Sequence, residues 1–592
     1  MTARTSLLGG AALTALLVLA LAPTAEAAKG HHRRAKVDPN AGLRSEVADL
    51  KAQVQALNAW KDQETADRAQ TQQQVQQLQG QLADANARAD RAQAEVQSQI
   101  QTIPGAIDQA VAAAKPKTDK IYYKGITLTV GGFAAAESVY RSRNNVADIG
   151  SNYAKIPYQN SVMAHTDEVR FTARQSRISF LAQGDINKET QASFYGEFDF
   201  LAGPTTANSN ESNSYSPRIR NVYGALDWNY EGWHLLAGQN WSLTTMSQKG
   251  ITPRNELPPA TIDAQYVVGF VWARQPQLRL VKDLDDKQVW LALSLEQPQT
   301  TFASAATGTS LTYTGVTTTT ALAGISQLSS VNNFSLNHVP DVIAKVAFEP
   351  IFEGGVQPLH VEAFGIYRQF YDRVSIAAGA NQATAVGLVP GNSTQTTDGW
   401  GVGGGITYAA LPKVVDLQVS GIYGHGIGRY GAGQLPDVIV SPTGNLTPIP
   451  EWMILAGGTL HATPRLDIYL YGGEESQSAR QSTLNITVAG KLTPAILGYG
   501  NPNATLGNCF IEGAACTPQT RQIDQIAVGM WDKVYTGSFG QVRVGLQYSH
   551  TDLRAFAGVA GAGNAFGFPA GQSVRPTTSD DMFFTSFRYY PF

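Results

Sequence analysis

Cysteine is almost missing from this chain: among 592 residues only Cys509 and Cys516 occur. A scaffold built on many disulfides is therefore excluded, and two lone thiols are a poor basis for a metal centre. Charge is sparse, at 15% of residues, and nearly balanced at a net −3. Nothing in that balance marks a nucleic-acid partner. Beyond the N-terminus no apolar run approaches the roughly 20 residues that a membrane-spanning helix requires. Signs of catalysis are lacking too. The nine histidines are scattered, with no Ser-His-acid or metal-ligand spacing. The glycine-rich "GVGGGI" has no following Lys-Ser/Thr with which to cradle phosphate. The expectation is a protein that is no enzyme and carries no cofactor and no metal.

What is present begins with "MTARTSLLGGAALTALLVLALAPTAEAAKG". Basic Arg4, the apolar stretch Leu7 to Ala22 and Ala25-Glu26-Ala27 read as a secretory signal over residues 1–27, cleaved after Ala27. An uncleaved anchor is the alternative, but the apolar stretch is short for a span. No cysteine follows it, so a lipoprotein anchor is not expected. Export exposes the two cysteines to oxidising conditions, and a local loop disulfide between Cys509 and Cys516 is expected. Residues 28–42, with "KGHHRR", read as a basic flexible tail.

Over residues 43–100 the period is seven. Leu43, Leu50, Leu57, Leu78, Ala85 and Ala92 hold d positions, and Val47, Val54, Val75, Leu82, Ala89 and Val96 hold a positions. Lys61, Glu64, Arg68 and Thr71 make the middle of the seam polar. So narrow a stripe implies an α-helical coiled coil that self-associates, and Val at a with Leu at d favours two strands. Pro104, Gly105 and Pro116 break the rod within a linker over residues 101–120.

From 121 to 592 the period is two. In "KQVWLALSLEQ", Val289, Leu291, Leu293 and Leu295 oppose Gln288, Ser294 and Glu296. In "TQASFYGEFDF", Phe194, Phe198 and Phe200 oppose Tyr195, Glu197 and Asp199. Such alternation makes strands with one apolar and one polar face. About sixteen strands are readable, and their connections alternate. Tight turns such as "GDINKE", "NYEG" and "DLDD" alternate with long segments such as 142–168, 298–340 and 476–521. That is the signature of an all-β transmembrane barrel of about 16 antiparallel strands. A β-sandwich of this size would split into domains and would not alternate its loop lengths. Strand six is expected over residues 267–282, with Pro276 at a bulge.

The chain ends in "DMFFTSFRYYPF". Phe583, Thr585, Phe587 and Tyr589 share one face, Met582, Phe584, Ser586 and Arg588 the other, and Pro591 is expected to place a bulge before Phe592. This last strand is expected to close on the first, around "ITLTVGGFAAAESVY". The N-terminal heptads, "GITLTVGGFAAAESVYRSRN", "FTARQSRISF", "RNVYGALDW", "LLAGQNWS" and "RQPQLRL" together resemble the DcaP-like porins over most of residues 40–297. The terminal strand, with its closing Phe592 preceded by aromatics, resembles the C-terminal signature of bacterial outer-membrane proteins. The resemblance implies a trimer, a periplasmic coiled coil, residence in the outer-membrane bilayer and passage of small, often anionic, solutes. Trimerisation conflicts with the Val/Leu seam, and burial of barrel walls is expected to prevail.

A lumen of that size is selective through its inward side chains. Arginines concentrate on even strands of the first half: Arg170 and Arg174, Arg218 and Arg220, Arg274 and Arg279. An arginine facing lipid at midplane costs roughly 2–4 kcal/mol, so these are expected to face inward and attract carboxylates. Arg177 is ambiguous, because the alternation slips between Ala173 and Ile178. Lys345 and Arg543 are further candidates. The competing expectation is that Glu197 and Asp199, on the intervening strand, pair with arginines and brace the wall. The third long loop, "TTMSQKGITPRNELPPATIDAQ", is the expected constriction, with charges Arg254, Glu256 and Asp263. Function then reads as passive diffusion of small hydrophilic solutes, favouring anionic organic acids such as dicarboxylates. The rival is a structural barrel that tethers the outer membrane to peptidoglycan through its coiled coil.

Overall fold

The computed structural model describes residues 120–202, 216–303, 311–313, 316–320, 334–376, 391–440, 446–488 and 491–592, with short helical pieces between residues 48 and 91. The chain divides into two units, Met1–Pro116 and Lys117–Phe592. In the first, residues 79–88 are helical and Leu82 is exposed. The expected signal peptide and basic tail, the expected linker up to Asp119, and most of the expected coiled-coil segment lie outside the described residues; Lys120, the last residue of that expected linker, already belongs to a strand.

In the second unit, sixteen antiparallel strands form one closed sheet. They are β1 (Ile126–Arg141), β2 (Glu168–Thr172 continued by Arg177–Asp185), β3 (Thr190–Asp199), β4 (Arg218–Trp228), β5 (Trp233–Trp241), β6 (Arg274–Leu284), β7 (Val289–Glu296) and β8 (Asp341–Phe348). Then follow β9 (Leu359–Ile376), β10 (Gly391–Leu411), β11 (Val415–His425), β12 (Pro450–His461), β13 (Leu466–Gln477), β14 (Thr520–Gly537), β15 (Gly540–Ala555) and β16 (Thr577–Tyr590). Each pairs with its sequence neighbour. The ring closes where β16 pairs with β1, from Ala134↔Tyr589 to Arg141↔Met582. Closure leaves no unpaired sheet edge in lipid, which is why hydrophobic strands end this chain. A short strand, Lys120–Tyr123, pairs back on Ile126–Thr129 where β16 has ended.

Alternation now has a direction. On β7, Leu291, Leu293 and Leu295 are exposed on the outer wall, while Trp290, Ala292, Ser294 and Glu296 are buried inside. On β16, Phe583 and Phe587 face out, and Met582, Phe584 and Ser586 face in. Short turns follow the even strands and long loops the odd ones, and Lys120 and Tyr590 both lie at the short-turn end.

Three details differ from expectation. Strand six begins at Arg274, and residues 267–273 belong to the preceding loop. Pro276 pairs with Gln239 in regular register and makes no bulge; it lies near the start of its strand, where a missing donor is tolerated. The last strand stops at Tyr590, so Pro591 and an exposed Phe592 lie beyond it rather than across a bulge. The slip before Ile178 has a structural cause: residues 173–176 leave the ladder, splitting β2.

The core sits inside the ring. Ile149, Tyr153 and Ile156 from one long loop meet Ile262, Val267, Val268 and Phe270 from another, and Ala432 and Leu435 from a third. They pack on inward wall residues such as Val139, Tyr469, Ile523 and Leu553. Among long loops, then, several fold inward and bury apolar surface within the barrel.

Candidate functional site: a narrowed lumen

The loop joining β5 to β6, residues 242–273, crosses the interior. Backbone N–H groups inside a barrel need acceptors, and wall side chains supply them. Leu243 donates to Glu296 Oε1 at 2.8 Å, Ser247 to Glu362 Oε2 at 3.1 Å and Gly250 to Glu349 Oε1 at 2.5 Å. Farther along, Ile262 donates to Gln547 Oε1 at 2.6 Å, Val268 to Gln525 Oε1 at 2.9 Å and Gly269 to Glu475 Oε1 at 2.8 Å. These acceptors stand on or beside β7, β8, β9, β13, β14 and β15, so the loop is gripped from across the ring. Lys345 adds a donor, from Nζ to the Thr245 carbonyl at 2.7 Å, while paired with Glu362 at 2.7 Å. Lys345 is thus a clamp for the loop.

A second inward segment, residues 426–440 with 446–449, meets the first. Trp272 N–H donates to the Tyr430 carbonyl at 2.8 Å, and Gln265 Nε2 to the Ala432 carbonyl at 2.7 Å. Gly433 N–H donates to Glu475 Oε1 at 3.0 Å, so one carboxylate holds both loops. Glycine permits that approach: a Cβ on Gly431 would lie 2.3 Å from Glu475 Oε2. The sequence pattern singled out the first loop and missed this one; the run "GHGIGRYGAG" was its only signal.

Beneath the loops, toward the short turns, lies a cavity of about 860 Å³. Arg177, Arg220, Arg254, Arg543 and Arg588 line one side, with Glu197 and Tyr195. Asp416, His461 and Asp467 line the other side, where His461 bridges Asp467 at 2.7 Å and Asp416 at 3.1 Å.

The expected arginines divide into distinct groups. Arg218 grips Asp199 through two bonds of 2.9 and 2.7 Å. Arg220 is buried between Glu197 at 2.5 Å and Asp199 at 3.0 Å. Both therefore brace β3 against β4. Arg174 lies in the break of β2 and ties Asp148, at 3.0 Å, to the Phe200 carbonyl. Arg170 stands toward the long-loop end, paired with Glu168 at 2.8 Å. Arg279 is buried, bonded to Gln277 at 2.9 Å and to the Trp241 carbonyl. Arg274 stacks between Trp241 and Trp272, 4.9 and 5.2 Å from the ring centres. These six do not form one continuous ladder, because the acids on β3 lie in register with β4 and capture its arginines.

Arg274 and Arg279 make no ion pair with a carboxylate among the described residues, and neither do two further cations of the cavity wall, Arg254 and Arg543. Arg254, exposed, donates only to Tyr223 OH, at 3.2 Å. Arg543 bonds Gln541 and stacks 4.7 Å from the Tyr590 ring. Arg177 lines the cavity with Glu197 at a loose 3.7 Å. Of the other loop charges, Glu256 accepts from Asn240 at 3.1 Å. Asp263 accepts from Ser151 N–H at 3.0 Å, Gln265 N–H at 2.9 Å and Tyr153 OH at 3.1 Å. Burial pushes both carboxyls above their ordinary values. They secure the loop; all three expected loop charges border the cavity, and of the three Arg254 alone is exposed. At the long-loop end Cys509 and Cys516 are bonded to each other, with Cα atoms 5.1 Å apart.

A closed sixteen-stranded wall with the third long loop folded inside it defines a porin-type channel barrel of the outer-membrane kind. Among solved structures, the chain is similar to the outer membrane channel DcaP of Acinetobacter baumannii, at 17% identity and a TM-score of 0.50, over 79% of this chain and 99% of that one. An anion-selective porin from Comamonas acidovorans also aligns, at 10% identity and a TM-score of 0.39, over 78% of this chain and 99% of that one. No family model matches the sequence, and no curated protein matches it.

Proposed function

We propose that this protein is a trimeric outer-membrane porin through which small hydrophilic solutes diffuse passively, anionic organic acids in preference. It works as a channel and not as an enzyme, and its N-terminal segment is a periplasmic extension. The observation that carries the reading is the cavity wall where Arg254 and Arg543 stand without carboxylate partners among the described residues, beside Arg177 and Arg588. Fixed positive charge on a water-filled wall raises the local concentration of anions and lowers that of cations. A guanidinium edge also matches a carboxylate in two parallel hydrogen bonds. Dicarboxylates are the class that the resemblance in the N-terminal half implies.

Planar-bilayer recording tests this. In a KCl gradient the reversal potential should lie on the chloride side. The double variant Arg254→Gln/Arg543→Gln should move it toward potassium. Absence of steady conductance steps refutes the porin; an unmoved reversal potential refutes this choice of selectivity residues.

A further inference from the structure

The cations of the cavity wall are interleaved with rings. Arg254 lies 5.7 Å from the centre of the Tyr195 ring, and Arg543 lies 4.7 Å from that of Tyr590. Arg588 stacks on Trp531 at 4.6 Å and on Phe133 at 4.9 Å, and Arg177 on Phe133 at 5.2 Å. Phe133 and Tyr590 in turn are 5.1 Å apart. Tyr195 and Tyr590 are only half-buried, and both line the cavity. A guanidinium laid flat on a ring keeps its N–H edge free and offers its outer face to a second flat group. Aliphatic acids use only the edges; an acid with a planar ring uses edges and faces together.

We propose that this cavity favours carboxylates borne on an aromatic ring over aliphatic carboxylates of the same charge and size. The proposal rests on the porin reading and names its substrate class. The carboxylate lies on the N–H edge of one guanidinium, Arg254 or Arg543. The ring stacks on the exposed face of Tyr195 or Tyr590, or on the neighbouring guanidinium. About 860 Å³ is ample room for a single-ring acid. Ring-on-ring contact adds about two- to tenfold in affinity at such a site.

The test uses the full chain in planar bilayers. Benzoate and cyclohexanecarboxylate, equal in charge and close in size, are titrated against the chloride current. Benzoate is expected to half-block the current at about two- to tenfold lower concentration. In Tyr195→Leu/Tyr590→Leu that ratio should fall to about one, and Tyr590→Leu alone should lower it if the double variant does not fold. Equal half-blocking concentrations in the unaltered protein overturn the proposal, as does an undiminished ratio in a folded variant. If the ratio is one while the reversal potential still favours chloride, the porin reading stands and only the ring preference falls. A reversal potential on the potassium side sinks both.

Discussion

Replacing Glu475 with leucine should loosen both inward loops without opening the barrel. The side chain is fully buried, and its Oε1 accepts from Gly269 N–H at 2.8 Å and Gly433 N–H at 3.0 Å. Leucine fills similar volume but accepts nothing, so two buried N–H groups lose their partner. Each orphaned group costs about 1–3 kcal/mol, so the loop contacts lose roughly 2–6 kcal/mol together. That is at least a tenfold shift toward the released arrangement. The ring itself keeps its strand pairing, because Glu475 contributes its backbone to the ladder regardless of side chain. Glu475→Gln is the matched control: a carbonyl in the Oε1 position still meets both N–H groups. Single-channel recording should show a noisier, larger mean conductance and new sub-states for Glu475→Leu, with Glu475→Gln close to the unaltered protein. A quiet trace of unchanged amplitude for a folded Glu475→Leu would refute the idea that this carboxylate holds the constriction.

Other perturbations separate braces from selectivity groups. Arg220→Gln should remove the buried cation that Glu197 and Asp199 share, leaving Asp199 to Arg218 and Glu197 to the looser Arg177, and cost roughly 3 kcal/mol, read as a lower temperature for the heat-shifted band on a detergent gel. Arg254→Gln should leave that temperature unchanged; an equal fall in both would show that the distinction is wrong. Because burial raises the Glu256 and Asp263 carboxyls, the folded loop binds protons more readily than the unfolded chain. Their contribution is full below the ordinary values of 4.5 and 3.8 and is lost as pH rises through the raised ones. Cleavage of the loop by an added protease should therefore be faster at about pH 8 than at about pH 3, after correction for the protease's own profile; a flat or opposite trend counts against this. Cys509→Ser/Cys516→Ser should speed proteolysis of residues 500–519, since that short loop gains roughly 2–3 kcal/mol from its bond. The heat-shifted band should stay in place, and its loss would mean that the outer loop supports the wall.

Several residues show why some of the site was legible and some was not. Period-two alternation placed Leu291 outside and Ser294 inside because lipid and lumen impose opposite costs on each face. The even-strand arginines were expected off the lipid face on the same ground. Their partners were not readable, because pairing depends on cross-strand register: the bulge at Glu197 and Phe198 sets Glu197 opposite Asn221 and Asp199 opposite Arg218. Arg177 looked ambiguous because β2 is broken just before it, and it proves to line the cavity. Lys345, read as a pore candidate, was claimed by Glu362 and the Thr245 carbonyl.

By itself the order of residues determined the strand count, the two faces of the wall, the alternation of turns with loops and the closing role of the aromatic end. Those follow from local chemistry: each residue must suit lipid, water or a turn. Only the tertiary structure decided which loops fold inward, which arginines are neutralised and which face open space. Such choices are made between groups far apart in sequence, such as Gly269 with Glu475 or Ile262 with Gln547. No local pattern encodes whether a carboxylate across the ring will reach a cation before a solute does.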